Sequence, residues 1–363
     1  MDFGIFHLMQ QRDASMMSGD LVSDAVQLTR AAESLGFARA WFAEHHFSNY
    51  SLSPSPLMMI AHAAALTERI RLGSAVIVAP LHAPARLLGE TALADTLSAG
   101  RLDLGIGNGY QQFEFERFGI SMDERRERMF ELLDLIEQGL GNGCYETRGV
   151  HYQLPETPIN VRCVQRPHPP IWLASGDREV NLRSARNGYV PFVSSRFASR
   201  DELIPIREHI ADCYRAAGRG GEAMPLGILS YCCVSERKSD IARYVEAARY
   251  QQRISRSLRT RREQIVADHW VKEQPFEDEP GLREIETNIL AGAAEKVAQQ
   301  LAGFIRVVHP THMMFYFQVG GYDRAKALRS MTAWVEQVVP MVESELGCSL
   351  ASLTGAPPDR ASP

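Results

Sequence analysis

Two adjacent imidazoles and a carboxylate, Glu44-His45-His46, followed by Phe47, close the apolar run Ala40-Trp41-Phe42-Ala43. A buried strand that runs into such groups must pair them or use them, because unpartnered polar atoms are costly away from water. Imidazole titrates near neutrality and serves as a general acid or base, and a neighbouring carboxylate can orient one ring. Glu44, His45 and His46 therefore read as the floor of an active site. A structural alternative is that one histidine merely closes a turn through a hydrogen bond. His7 and His82 are either pocket-lining or, as expected, satisfied polar neighbours.

Positioning these groups calls for a rigid frame, and short apolar runs alternating with helical periodicity imply a parallel sheet with crossover helices. Eight strands are expected: Phe3 to Leu8, Ala40 to Ala43, Arg71 to Val78, Leu102 to Ile106, Ile171 to Ala174, Tyr189 to Val193, Leu226 to Val234 and Met313 to Phe317. Helices are expected at Leu21 to Ser34, Ser55 to Leu66, Ala85 to Leu97, Asp123 to Gln138, Glu179 to Arg186, Arg200 to Ala217, Asp240 to Arg262, Ala293 to Phe304 and Arg324 to Val342. Eight interleaved strands suit a closed α/β (β/α)8 TIM barrel better than a doubly wound sheet. Two stretches exceed plain crossovers. One, Gly139 to Pro170 after the fourth helix, is expected to fold over the barrel as a hairpin-like insertion. The other, between strands seven and eight from about Arg243 to Leu290, is either a lid or substrate wall or a solvated surface excursion. Residues 1–349 form the single barrel domain of this reading, and 350–363 have the composition of a disordered tail.

Bulk composition excludes several classes. In 363 residues, 45% are hydrophobic and 23% charged, as in ordinary soluble globular proteins. With 39 basic and 44 acidic side chains, the balance argues against a general nucleic-acid binder. No apolar run approaches the roughly 18 residues of a membrane span. Met1 to Met9 lack a basic leader and a cleavage site, so a cytoplasmic location is expected. The six cysteines have no zinc-like spacing and read as buried, reduced thiols, and no metal site is expected.

Barrel chemistry is built at the C-terminal ends of strands. Besides the Glu-His-His group, those ends carry Pro80 and His82, Gly107-Asn108-Gly109-Tyr110, Ser175-Gly176-Asp177, and Gln318 with Gly320 and Gly321. Gly105-Ile106-Gly107-Asn108-Gly109 is a poor dinucleotide fingerprint, since its third glycine is misplaced and no helix opens directly after it. The glycines there and Ser175-Gly176 instead read as two sides of a phosphate cup, with turn punctuation as the alternative. Asp95, Ser98 and Arg101 precede strand four and fall at the opposite end, where a structural ion pair or hydrogen bond, such as one from Glu90 or Asp95 to Arg101, is expected.

Several ordered motifs resemble the bacterial luciferase-like flavin-dependent monooxygenase family. They are Phe3-Gly4-Ile5-Phe6, Ala32-Glu33-Ser34-Leu35-Gly36-Phe37, Trp41 with Glu44-His45-His46-Phe47, and Arg71-Leu72-Gly73-Ser74-Ala75-Val76 before Pro80. Asp95-Thr96-Leu97-Ser98-Ala99-Gly100-Arg101-Leu102 then leads to Gly105-Ile106-Gly107-Asn108-Gly109-Tyr110, with Glu114, Phe118-Gly119 and Ile171-Trp172-Leu173-Ala174-Ser175 following. Beyond about Tyr189 the likeness is mainly one of pattern.

The resemblance implies a barrel that binds reduced FMN (FMNH2), supplied by a separate NAD(P)H:flavin reductase, with O2 as co-substrate. His45 would be the catalytic histidine. The flavin would lie over a non-prolyl cis peptide at Ala75-Val76, with its phosphate between Asn108, Gly109 and Tyr110 and Ser175-Gly176. Gly107 stands where luciferase has a reactive cysteine. Asn108 stands where many relatives carry a phosphate-binding arginine, so backbone amides or another basic residue must serve.

The expected activity is a two-component monooxygenase that oxygenates a small organic substrate through a C4a-(hydro)peroxyflavin. Proton loss to His45 would make that species nucleophilic; proton retention would make it electrophilic. Phe6, Trp172, Phe192, Phe315 and Phe317 are candidate pocket walls, or plain core. The competitors are a deazaflavin (F420)-dependent oxidoreductase, a non-catalytic flavin-binding protein and a metal-dependent hydrolase using His45, His46 and His7. The last lacks a His-x-His on strand one. Family likeness also suggests a homodimer, without nucleic-acid or membrane partners.

Overall fold

The computed structural model describes residues 1–174, 176–221 and 224–353. Eight parallel strands occur in chain order: Asp2–His7, Arg39–Phe42, Arg71–Ser74 resumed at Ile77–Val78, Leu102–Gly107, Ile171–Ala174, Val190–Ser194, Gly227–Val234 and His312–Tyr316. Each pairs with the next, and the eighth closes on the first with Phe3 facing Met313. The fold is a (β/α)8 barrel. A short strand, Leu290–Gly292, also pairs with the far end of the seventh.

Alternation along each strand fills the interior. Trp41 of strand two meets Trp172 of strand five with ring centroids 4.8 Å apart, so both reach across the barrel. Gly73 gives Trp41 its room, since a Cβ there would lie 2.3 Å from the indole. Helices cover the outside, and their ends follow local chemistry. Gly36 ends Ser18–Leu35 in a left-handed conformation, and Ser55 caps Pro56–Ala64 through the Met58 amide. The expected final helix is divided into Arg324–Ala333, a π turn at Trp334–Val338 and Val339–Leu346. Pro340 has no amide to continue the regular bonding pattern.

The N-terminal end of the barrel is latched by charge. Asp103 accepts from Arg39 and Arg71, while Asp2 accepts from Arg39 and pairs with His312. The ion pair expected for Arg101 is not formed. Its guanidinium donates to carbonyls of Ala64, Thr67, Ile70 and Ser98, Asp95 accepts from Gln165, and Glu90 pairs with Arg86. All of these are structural contacts, as their position before strand four implied.

The two insertions differ. The first does form a hairpin, Cys144–Arg148 with Gln153–Pro158, but it lies along helix Arg125–Asn142 rather than across the barrel mouth. Glu131 of that helix draws it down by accepting the amides of Val150, His151 and Tyr152. The second insertion extends helix Lys238–Arg259, then a small hairpin of Ile265–Ala267 and Trp270–Val271, then helix Leu282–Asn288. This one spans the mouth. Buried Asn49 anchors it, accepting from the Val271 amide and donating to the Tyr250 hydroxyl. Leu350–Leu353, within the expected tail, form a 3-10 turn with Leu350 buried; residues 354–363 of that expectation lie outside the described residues. Among the described residues no helix is long and apolar enough to cross a membrane.

Candidate active site

The C-terminal strand ends and helix Lys238–Arg259 enclose a cavity of about 660 Å³, within the range of roughly 300–1,000 Å³ usual for small-molecule sites. Its floor is largely backbone. The Ala75-Val76 peptide is cis, and Gly105 and Gly107 of strand four lie against it. A Cβ on Gly105 would sit 1.9 Å from the Ser74 carbonyl oxygen, and the Gly105 amide donates to Ser74 Oγ. Gly105 thus serves strand packing, not anion binding. A Cβ on Gly107 would come 2.8 Å from Val76 Cγ2, at the cavity surface. A flat ring system can rest on this floor because only the small side chains of Ala75 and Val76 rise from it.

His45 stands above the floor, 9% exposed. Its Nδ1 lies 3.0 Å from Glu114 Oε1, and its Nε2 lies 3.5 Å from the Tyr110 hydroxyl. Glu114 also accepts the His46 amide, which fixes the carboxylate beneath the ring. Since Nδ1 donates to that oxygen, Nε2 is the nitrogen left for chemistry. Burial disfavours a charged imidazole here, but the Tyr110 oxygen and the Glu114 carboxylate outweigh it and push His45 up to about 9. Tyr110 shifts the opposite way: burial raises it, but the His45 charge and hydrogen bonding with Tyr50 and Gln111 bring it below its ordinary value. Tyr50, Gln251 and Tyr231 continue the chain of hydrogen bonds beneath the insertion.

Glu44 does not orient His45. It accepts from His46 Nε2, His82 Nε2 and the Val78 amide, each at 2.9 Å. Burial would raise Glu44, yet the hydrogen bonds and charges of His46 and His82 hold it at about 2. His46 is directed out of the cavity wall and packs edge-on against Phe118 at 4.8 Å. It does not line the cavity, and its Nε2 is taken up by Glu44. His7 is likewise satisfied, bonded to Thr29 Oγ1.

The cavity brings together Glu44, His45, Ala75, Val76, Gly107, Asn108, Gly109, Tyr110 and Gly176. Ser175 lies outside the described residues. Of the aromatic candidates, Phe6 and Phe192 reach the wall, whereas Trp172, Phe315 and Phe317 are core. Sequence reasoning gave no role to Glu114, Tyr50, Gln251, Tyr316, Arg196 or Arg259. Glu114 is on a one-to-two-turn helix, Gln112–Phe118, too short to show periodicity. The signal for Arg259 was its register with Gln251, Gln252 and Ser255 on one helix face.

Open backbone at Asn108, Gly109 and Gly176 fits a phosphate, and a Cβ on Gly176 would meet nothing within 4 Å. Together with the flat floor, these residues fit a flavin mononucleotide. Among the described residues no group of three or more His, Cys, Asp or Glu could hold a metal ion.

Residues 1–308 match the model of a family described as luciferase-like monooxygenase. The oxygenase component of a flavin-dependent trigonelline monooxygenase from Acinetobacter baylyi is 27% identical, over 94% of this chain and 95% of that one. The oxygenating constituent of a Pseudomonas putida 3,6-diketocamphane monooxygenase, a type II Baeyer-Villiger enzyme solved with FMN, superposes with TM-score 0.74 at 16% identity, covering 94% and 98%. An F420-dependent secondary alcohol dehydrogenase superposes with TM-score 0.71 at 16% identity, again over 94% and 98%. At such identities the two structures show the fold alone.

Proposed function

We propose a specific reaction for this chain, which belongs to the luciferase-like monooxygenase family: it is the oxygenase half of a two-component system that uses reduced FMN and O2 to oxygenate a small organic substrate. A separate NAD(P)H:flavin reductase would deliver the FMNH2. The observation that carries the reading is the His45 dyad, a buried imidazole held by Glu114 that lines the same cavity as the floor of Ala75, Val76 and Gly107.

Reduced flavin supplies the electrons and the reaction with O2. Ala75, Val76 and Gly107 would support the ring system, while Asn108, Gly109 and Gly176 would hold the phosphate end; the Tyr110 hydroxyl is turned instead toward His45. Helix Lys238–Arg259 excludes water from above, which strengthens every polar contact within. His45 carries a proton on Nε2 near neutrality, because its value is raised to about 9. It therefore gives a proton to the reacting oxygen sooner than it takes one. That favours transfer to an electron-rich carbon or nitrogen over attack on a carbonyl.

The test is an anaerobic titration with FMNH2 and, separately, with reduced F420, followed by admission of O2. FMNH2 should bind and O2 should be consumed when a reductase and FMN are supplied. Binding of reduced F420 alone, without O2 uptake, would replace this reading with hydride transfer. His45→Ala should retain FMN and lose turnover by about 10²-fold or more; full turnover would remove the proton role.

A further inference from the structure

Buried charge in this protein is paired almost wherever it occurs. Half-buried Arg12, Arg39, Arg71, Arg128 and Arg253 each reach a carboxylate. The cavity wall breaks that pattern. Arg196 and Arg259 both line it, and neither has a carboxylate within 4 Å among the described residues. Arg259 lies instead over the Tyr110 ring, 4.4 Å from its centroid. The cavity's own carboxylates are occupied: Glu44 by His46 and His82, Glu114 by His45 and the His46 amide.

Both guanidinium groups line the one cavity. Burial lowers the Arg259 value first, and the charge of Arg196 lowers it further. Two like charges in one wall are unfavourable without a counter-ion, and planar guanidinium matches a carboxylate by paired hydrogen bonds. His209 lines the same cavity, and its Nε2 has no hydrogen-bond partner among the described residues.

We propose that Arg196 and Arg259 form an anion-binding subsite for the organic substrate, which therefore carries a carboxylate. The alternative source of negative charge, the flavin phosphate, is less suited. Arg259 rides on Tyr110, whose hydroxyl is 3.5 Å from His45 Nε2, and this puts it beside the group that hands over the proton. Arg196 follows strand six and Arg259 ends the helix that follows strand seven, whereas Asn108, Gly109 and Gly176 follow strands four and five. A carboxylate held there fixes the rest of the substrate over the floor. The subsite rests on the flavin reading for its purpose but not for its detection.

Calorimetry on the purified full chain tests it, with wild type, Arg196→Gln, Arg259→Gln and the double variant. The probes are benzoate against benzamide, phenylacetate against phenylacetamide, hexanoate against hexanamide, and FMN against riboflavin. At least one acid should bind wild type tenfold or more tightly than its amide. Each substitution should weaken that acid tenfold or more, change its amide less than twofold, and leave the FMN-to-riboflavin ratio unchanged; the amide and riboflavin affinities also report that the variants are folded. The proposal fails if no acid is preferred in any pair, or if the preference survives in the double variant. It also fails if substitution costs FMN tenfold relative to riboflavin, which would assign the cations to the phosphate. Wild type that ignores FMN yet discriminates acid from amide would sink the flavin reading and leave the subsite standing.

Discussion

Glu114 sets how His45 holds its proton. Replacing it by Gln removes an ionic acceptor from Nδ1, so the His45 value should fall. Activity that needs the imidazolium should decline as pH rises through about 9 in wild type, and the Glu114→Gln limb should move acidward by a unit or more, read from pH profiles of kcat/KM. Stability carries the same signature. The folded value exceeds the unfolded one of 6.5, so the contribution is fully present below pH 6.5 and is lost as pH rises through about 9. It is on the order of 3 kcal/mol, from the cost per pKa unit. Thermal melts of wild type should fall across that window, and those of His45→Gln should be flatter. Glu44 has the opposite sign: held at about 2, its contribution is present above 4.5 and lost as pH falls through about 2. Glu44→Ala leaves three donors without an acceptor and should cost about 3 kcal/mol in urea unfolding.

At the scale of elements, the insertion over the mouth is tied to the loops beneath it at several points, and Asn49 is the one that makes three bonds. Asn49 bonds Gln11, Tyr250 and Val271, joining the loop after strand one to the helix and hairpin above it. Asn49→Ala should raise amide hydrogen exchange in residues 259–290 tenfold or more while the barrel strands stay protected, and should raise substrate KM with little change in flavin affinity. Equal exchange in both regions would mean that the insertion opens only with global unfolding. The barrel strands were legible because β-branched and apolar runs of four to eight residues recur with helix-length spacing. The second insertion's helix was legible too, but not its direction. Its outward arginines make ion pairs and its Gln251, Gln252, Ser255 and Arg259 face a cavity that exists only after closure. His45 could be picked out from its strand end. Its carboxylate partner could not, since two glutamates compete and only tertiary folding brings the one 69 residues away into reach.

Across the whole molecule, the two barrel ends divide the work. The N-terminal end holds Asp2, Arg39, Arg71 and Asp103 in one latch, with Arg101 and Gln165 sealing its neighbours. Asp103→Ala leaves two arginines without their shared acceptor and should cost about 3 kcal/mol. Below the melting transition, kcat and flavin affinity should remain within twofold of wild type, because the chemistry is confined to the other end. A tenfold loss of kcat in a folded Asp103→Ala protein would show that the ends are coupled.

The cavity has a floor of glycine backbone and two small side chains under walls of larger ones, and this asymmetry tells a protein engineer where to cut. Randomised libraries at Ile206, Gln252 and Ser255 can redraw substrate choice, while codons for Gly105 and Gly107 should be left untouched. Diversity belongs in the helical canopy; the strand bed tolerates none.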